Sequence, residues 1–278
     1  MRLQSLFSTE RRTYGTDAVV TGSGSGIGRA FALELNRRGG RVVCADRDLV
    51  SAQETVASIA ESGGNAFAVQ CDVSDAEQVR DLASTAERWF GNTTRLLINN
   101  AGIGAGGKPI GESSLTDWRQ AIEVNLFGVI HGCQTFVPLF RERNCGGVIN
   151  IASAASFVSA PRMGPYSASK AGVLSISETL SSELAGTGIV VTVACPSMVK
   201  TNLADSEAID AVAAQRAKRL MNLIGATPES VAHAILNAHD RGNLHVLPQI
   251  DARLVWRIKR AIPGPYTRAL GLVEQMMR

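Results

Sequence analysis

Tyr166-Ser-Ala-Ser-Lys170 opens a helical pattern that runs to about Leu184. A spacing of four residues puts the phenol and the ammonium on one helix face. A free tyrosine titrates near pH ~10 and is a poor base at neutrality. A neighbouring ammonium favours the phenolate and lowers that pKa, which makes the pair a candidate for proton exchange with a substrate oxygen. Taken alone, Tyr and Lys at this spacing form an ordinary surface pair. The assignment needs other groups to converge with it.

A second chemical signal lies near the start of the chain. An apolar run leads into Thr21-Gly22-Ser-Gly24-Ser25-Gly26-Ile27-Gly28, and a helical pattern follows. A strand, a glycine turn and a helix N-terminus make an anion site, because glycine lets the backbone approach a pyrophosphate and the free N–H groups favour negative charge. The spacing Gly22-x-x-x-Gly26-x-Gly28 departs from the commoner G-x-G-x-x-G, so position carries the reading. The next apolar run ends at Asp46, 24 residues after Gly22. An acid there accepts hydrogen bonds from an adenosine ribose and repels a 2′-phosphate, which favours NAD over NADP. Arg47 follows at once and would suit a 2′-phosphate, so NADP is the alternative. Asp72 ends the third apolar run, where it would serve either the adenine side, beside Val73, or a helix cap.

Other chemistry is less well supported. The histidines His131, His233, His239 and His245 form no spaced metal pair, and no metal is assigned. The cysteines Cys44, Cys71, Cys133, Cys145 and Cys195 suggest neither a zinc site nor a disulfide framework, and reduced thiols in a cytoplasmic protein are expected. Trp89, Trp118 and Trp256 read as packing residues.

The elements that would position these groups are legible as short apolar runs alternating with longer helical patterns. Strands are expected at 18–21, 41–45, 66–71, 96–99, 148–151, 189–194 and 244–247, mostly continuous in Val and Ile, as strands buried on both faces should be. Helices are expected at 28–38, 49–61, 76–89 and 117–141, the last opened by a Ser114–Asp117 capping box. The alternation implies an α/β fold, a doubly wound, mostly parallel sheet with helices on both faces. One catalytic domain is expected over residues 1–250, followed by a basic, helical extension at 251–278. At 45% apolar and 19% charged the chain reads as globular, and a net charge of +3 gives no argument for nucleic acid. No apolar run of about 18 residues is present, so no transmembrane helix is expected, and the first residues have no apolar stretch of the length a signal peptide needs.

With these residues assembled, the chain resembles the short-chain dehydrogenase/reductase family. The motifs that carry the resemblance are Thr21–Gly28, Asn99-Asn-Ala101-Gly102, Asn125 in Val-Asn-Leu, Ser153, Tyr166-x-x-x-Lys170, and Pro196 with Thr201, in the family's order across about residues 16 to 250. The resemblance implies a seven-stranded Rossmann sheet. It implies that Tyr166 exchanges the proton, that Ser153 steadies the substrate oxygen, and that Lys170 binds the nicotinamide ribose. It further implies that Asn125 supports a proton-relay water, and that Asn99–Gly102, Pro196, Val199 and Thr201 line the cofactor site. Ser197 stands where the family usually has Gly.

The substrate wall is expected from 103–107, 154–165 and a lid at 197–227. Met198, Leu203, Met221, Leu223 and Ile224, with Phe157, Val158 and Met163, suggest a mostly apolar pocket, and Arg162 is the one candidate anion contact. The extension carries Arg253, Arg257, Lys259, Arg260 and Arg268 among apolar residues. It reads as a helix packed on its own domain with a solvated basic face, the alternative being a membrane or partner surface. The expected reaction is hydride exchange between NAD(H) and a small-molecule secondary alcohol or ketone. The alternatives are an NADPH-dependent acyl ketoreductase and a non-catalytic dinucleotide sensor, the latter expected to lose Tyr or Lys. A homo-oligomer, dimer or tetramer, is implied through the helices of Asn125 and Tyr166.

Overall fold

The structure is a computed structural model and describes residues 11–91 and 94–276. Seven strands form one parallel sheet: β1 (Asp17–Thr21), β2 (Arg41–Asp46), β3 (Ala66–Gln70), β4 (Leu96–Asn99), β5 (Gly146–Ile151), β6 (Ile189–Ala194) and β7 (His245–Val246). Their order across the sheet is β3-β2-β1-β4-β5-β6-β7. The winding direction reverses between β1 and β4, which pair with Ala18 opposite Leu96 and Val20 opposite Ile98. A crevice opens at such a reversal, beyond the carboxyl ends of the strands.

The strand sequences explain the two-sided burial. Successive side chains point to opposite faces. Ala18, Val20, Val42, Cys44, Leu96 and Ile98 therefore meet one helical layer, formed by α1 (Gly26–Arg37), α2 (Leu49–Glu61) and α9 (Pro228–Asp240). Val19, Val43, Ala45 and Leu97 meet the other, where α3 (Ala76–Phe90) and α5 (Gly128–Glu142) lie. An unbroken apolar strand is what this requires.

The helix expected at 117–141 is present but not uniform. It consists of α4 (Leu115–Ile122), a π-turn (Glu123–Phe127) and α5. Ser114 caps α4 by accepting the Asp117 N–H at 3.0 Å. The third strand stops one residue short of expectation, at Gln70, and the seventh has only two residues because it lies at the sheet edge. Beyond it come α10 (Ile250–Ala261) and α11 (Pro263–Met276), the helical extension; residues 277 and 278 lie outside the described residues. The remaining helices are α6 (Ala155–Val158), α7 (Gly164–Glu183) and α8 (Ala211–Ile224).

A buried charge ties the ends of the layer together. The Arg38 side chain is fully buried and donates to Glu34 at 2.8 Å, Thr13 at 2.6 Å, Asp240 at 3.1 Å and Asn237 at 2.7 Å. A buried guanidinium is tolerable only when paired in this way.

Candidate active site

The glycine turn after β1 is locked to the turn after β4. Thr21 Oγ1 accepts from the N–H groups of Asn100 and Ala101 at 3.0 and 3.1 Å, and Asn100 Nδ2 donates to the Thr21 and Gly22 carbonyls at 2.9 and 3.1 Å. Gly22 and Gly26 adopt φ of +63° and +52°, in the left-handed region that glycine permits. A Cβ at Gly28 would overlap the Gly22 carbonyl oxygen. Ser25, at the cap position of α1, makes no side-chain cap. The first N–H groups of the helix therefore face the cleft without a side-chain acceptor, as an anion cradle needs.

Asp46 sits at the end of β2 with both carboxylate oxygens engaged. They accept the Gly24 N–H at 2.8 Å and the Asp48 N–H at 3.0 Å. Arg47 and Asp46 both line the cleft, and so do Asp72 and Val73. Asp72 also accepts from Ser74 N at 2.9 Å, which closes a tight turn, while the cap of α3 is Asp75. Asn99 lies behind the cleft rather than in its lining. It donates to Asn150 at 2.8 Å, and Asn150 donates to Ser177 at 3.0 Å, a polar link buried between β4, β5 and α7.

The four groups expected to act on substrate come from three elements. Ser153 follows β5, and its hydroxyl accepts the Ala155 N–H at 3.2 Å. Tyr166 and Lys170 stand on α7, with the Lys170 Nζ 6.0 Å from the Tyr166 ring centre. Nζ donates to the Ile151 carbonyl at 2.8 Å. Asn125 comes from the π-turn. Its side chain accepts from Ile103 N at 2.8 Å and donates to the Ile103 carbonyl at 3.0 Å and to Ser169 at 3.2 Å. The extra residue of a π-turn widens the helix locally, and such turns recur at functional sites.

Burial governs the titration of this cluster. It pushes the Tyr166 phenol above its ordinary value, and the hydrogen bond with Ser153 pulls it partly back. Burial also lowers the Lys170 ammonium to about 8. Lys170 thus stays largely charged at neutral pH, beside a phenol that is neutral. Cys195, close by, is pushed up to about 11 by burial and is a thiol, not a nucleophile.

The cleft runs from the glycine turn to Tyr166 and Lys170, with a volume of about 410 Å³, in the range of small-molecule sites. It brings together Gly22, Ser25, Gly26, Ile27, Asp46, Arg47, Asp72, Val73, Ala101, Gly102, Ser153, Tyr166, Lys170, Pro196, Val199 and Thr201. Gly28, Asn99 and Asn125 support it from behind. The lid differs from the apolar expectation. Leu203 and Met221 reach the cleft, but so do Asn202, Asp205 and Ser206, which the sequence reading missed. Leu223 and Ile224 face solvent on α8. Arg162 is paired with Glu274 at 2.7 Å and is not free to meet an anion.

That pair belongs to a clasp. Between Ser153 and Tyr166 the chain has two left-handed non-glycine residues, Ser159 at φ +54° and Arg162 at φ +62°. Such strain persists only where surroundings hold it. Here α10 and α11 hold it: Lys259 donates to Ser159 Oγ at 2.8 Å, Tyr266 donates to the Val158 carbonyl at 3.2 Å, and Trp256 meets Phe157 edge-on at 4.8 Å.

The sequence model of the short chain dehydrogenase group matches residues 16–211. The chain is 35% identical over 273 residues to the probable oxidoreductase EphD of Mycobacterium tuberculosis, covering 94% of this chain and 46% of that protein. It thus spans about half the length of that relative. It is 39% identical over 224 residues to 3beta-hydroxysteroid dehydrogenase 1 of Eggerthella lenta, covering 79% of this chain and 85% of that protein. The crystal structure of a short chain dehydrogenase/reductase from Burkholderia phymatum in complex with NAD superposes with a TM-score of 0.83 at 34% identity, covering 90% of this chain and 95% of the other.

Proposed function

This chain belongs to the short-chain dehydrogenase family, and from that premise we propose that it is an NAD(H)-dependent oxidoreductase of a mostly apolar secondary alcohol or its ketone. The observation that carries the reading is the joining of two sites in one cleft: an anion cradle at Gly22–Gly28, and a phenol at Tyr166 backed by Ser153 and a buried ammonium. The residues fit a dinucleotide. The uncapped N-terminus of α1 and the left-handed Gly22 and Gly26 would hold its pyrophosphate, and Asp46 its adenosine ribose. When bound, NAD(H) supplies the hydride acceptor or donor.

The chain's own residues handle the proton. In reduction, Tyr166 donates its phenolic proton to the carbonyl oxygen as that oxygen gains negative charge, and the Ser153 hydroxyl hydrogen-bonds the same oxygen. In oxidation the phenolate takes the alcohol proton. Lys170 stabilises that phenolate by its charge and holds the nicotinamide ribose. Asn125 holds the water through which Lys170 exchanges protons with solvent. The Ile103 backbone fixes the Asn125 amide for that role.

The test is a panel of apolar secondary alcohols, hydroxysteroids included, assayed with NAD and with NADP by nicotinamide absorbance. Turnover with NAD on apolar members is the expected result. Turnover confined to NADPH and acyl ketones would favour an acyl ketoreductase, a second reading supported by Arg47 at the cleft wall.

A further inference from the structure

The hairpin α10–α11 carries more apolar surface than its packing uses. On α10, Ala252, Val255 and Trp256 face the body of the molecule. Ile250, Leu254, Ile258 and Ile262 recur every four residues and form an adjoining stripe that faces solvent. Ile250 is 79% exposed, Leu254 57% and Ile262 49%. At 100° per residue Arg257 borders that stripe on the side away from the body; Arg253 and Arg260 lie further round, where Arg253 donates to the Leu247 and Pro248 carbonyls at 2.7 and 3.3 Å and Arg260 stacks on Trp256 at 4.2 Å. Helix α11 repeats the arrangement. Tyr266, Leu270 and Glu274 are its half-buried side. Leu272 and Met276 stand 61% and 87% exposed, with Arg268 alongside.

A single exposed leucine is ordinary. Exposed apolar faces on two successive helices, with Arg257 and Arg268 beside them and Asp251 at one end, make an interaction surface. Charge decides the occupant. A second copy placed about a two-fold axis through the hairpin would bring these arginines against their own copies. An anionic lipid surface meets both features at once: apolar side chains enter the acyl boundary, and guanidinium groups reach headgroup phosphates. The helices have 12 and 14 residues, and no described helix is long and apolar enough to cross a membrane. The arrangement suits lying on a bilayer.

We propose that the α10–α11 hairpin docks this protein on the surface of anionic membranes. The test is co-sedimentation of the full chain with vesicles of phosphatidylcholine, alone or with about 30% phosphatidylglycerol. Wild type is expected to pellet with the anionic vesicles and to release at high salt. The double variants Leu254→Asp/Ile258→Asp and Arg257→Glu/Arg268→Glu are each expected to lose at least about tenfold in partitioning. Circular dichroism checks their fold. The arginines are exposed, so the second variant keeps the test valid where the first misfolds. The proposal is overturned by wild type that stays in the supernatant, or by a folded variant that pellets as wild type does. It is also overturned where vesicle binding is absent and light scattering shows Leu254→Asp/Ile258→Asp breaking an oligomer, which assigns the stripe to a second copy.

Discussion

Tyr166 differs from phenylalanine by one hydroxyl, and that hydroxyl is the only group in the proposed reaction that gives or takes the substrate proton. The ribose contacts belong to other side chains. Tyr166→Phe is therefore expected to lower turnover by at least about 100-fold while leaving NAD affinity nearly unchanged. Single-turnover rates and cofactor fluorescence titration separate the two effects; near-normal turnover would remove Tyr166 from its role. Asp46 raises a different question, that of cofactor choice. Its oxygens are already oriented by the N–H groups of Gly24 and Asp48, so its charge stands at a fixed place in the cleft. Asp46→Ser is expected to weaken NAD and to strengthen NADP, since Arg47 remains to meet the phosphate. Titration of both cofactors against both proteins checks this, and tighter NADP binding by the wild type would reverse the assignment.

Among the elements, the clasp between the extension and the 157–162 segment has the most direct bearing on activity. Lys259 and Glu274 hold the two left-handed residues, through an exposed hydrogen bond and a partly exposed ion pair. Such contacts contribute at most about 1 kcal/mol each to stability. Their positional effect is larger, because Ser153 and Tyr166 flank the segment they hold. Lys259→Met/Glu274→Gln is expected to raise KM for substrate several-fold with little change in melting temperature. An unchanged KM would show that the segment keeps its shape without the clasp. This contact also marks where sequence reading stops. Most strands were legible because they are nearly continuous apolar runs, and the glycine turn and the Tyr166–Lys170 pair because their chemistry lies within a few residues. Arg162 and Glu274 are 112 residues apart, and no local pattern joins them. The π-turn was not legible for another reason: it slips the apolar pattern by a single position, within the irregularity of an ordinary helix face. Leu223 and Ile224 read as pocket residues from their type alone, and only the orientation of α8 shows them facing outward.

For the whole molecule, acid stability follows from one buried group and one half-buried group. His239 is buried against Thr192, and burial lowers its pKa from 6.5 to about 3. Its folded value lies below the unfolded one, so the stability it contributes is complete above about pH 6.5 and is lost as pH falls toward 3. For Glu34, burial pushes the carboxyl up, but hydrogen bonds from Arg37, Arg38 and His233 prevail and bring it from 4.5 to about 2. That contribution is lost between about pH 4.5 and 2. Melting temperature is expected to fall in two stages as pH drops below neutrality, with Glu34→Gln flattening the lower stage. A melting temperature unchanged between about pH 7 and 5 would contradict the His239 part. Association is the other whole-molecule expectation. Ala171, Leu174, Ile176 and Leu180 stay only half-buried on α7, which leaves them available to pair with a second copy. Light scattering is expected to return at least a dimer, and a monomer at micromolar concentration would exclude it. The Arg38 cluster has a consequence in time. Its partner Asp240 lies 202 residues further along, on a helix whose Ile235 and Leu236 also cover Phe31 and Leu35 of α1. At ~5–20 residues per second, a ribosome takes about 10–40 s to make that stretch. Throughout that interval the emerging chain carries a guanidinium with only its early partners Thr13 and Glu34, beside an uncovered apolar face, the kind of surface that folding helpers recognise and that neighbouring nascent chains aggregate through.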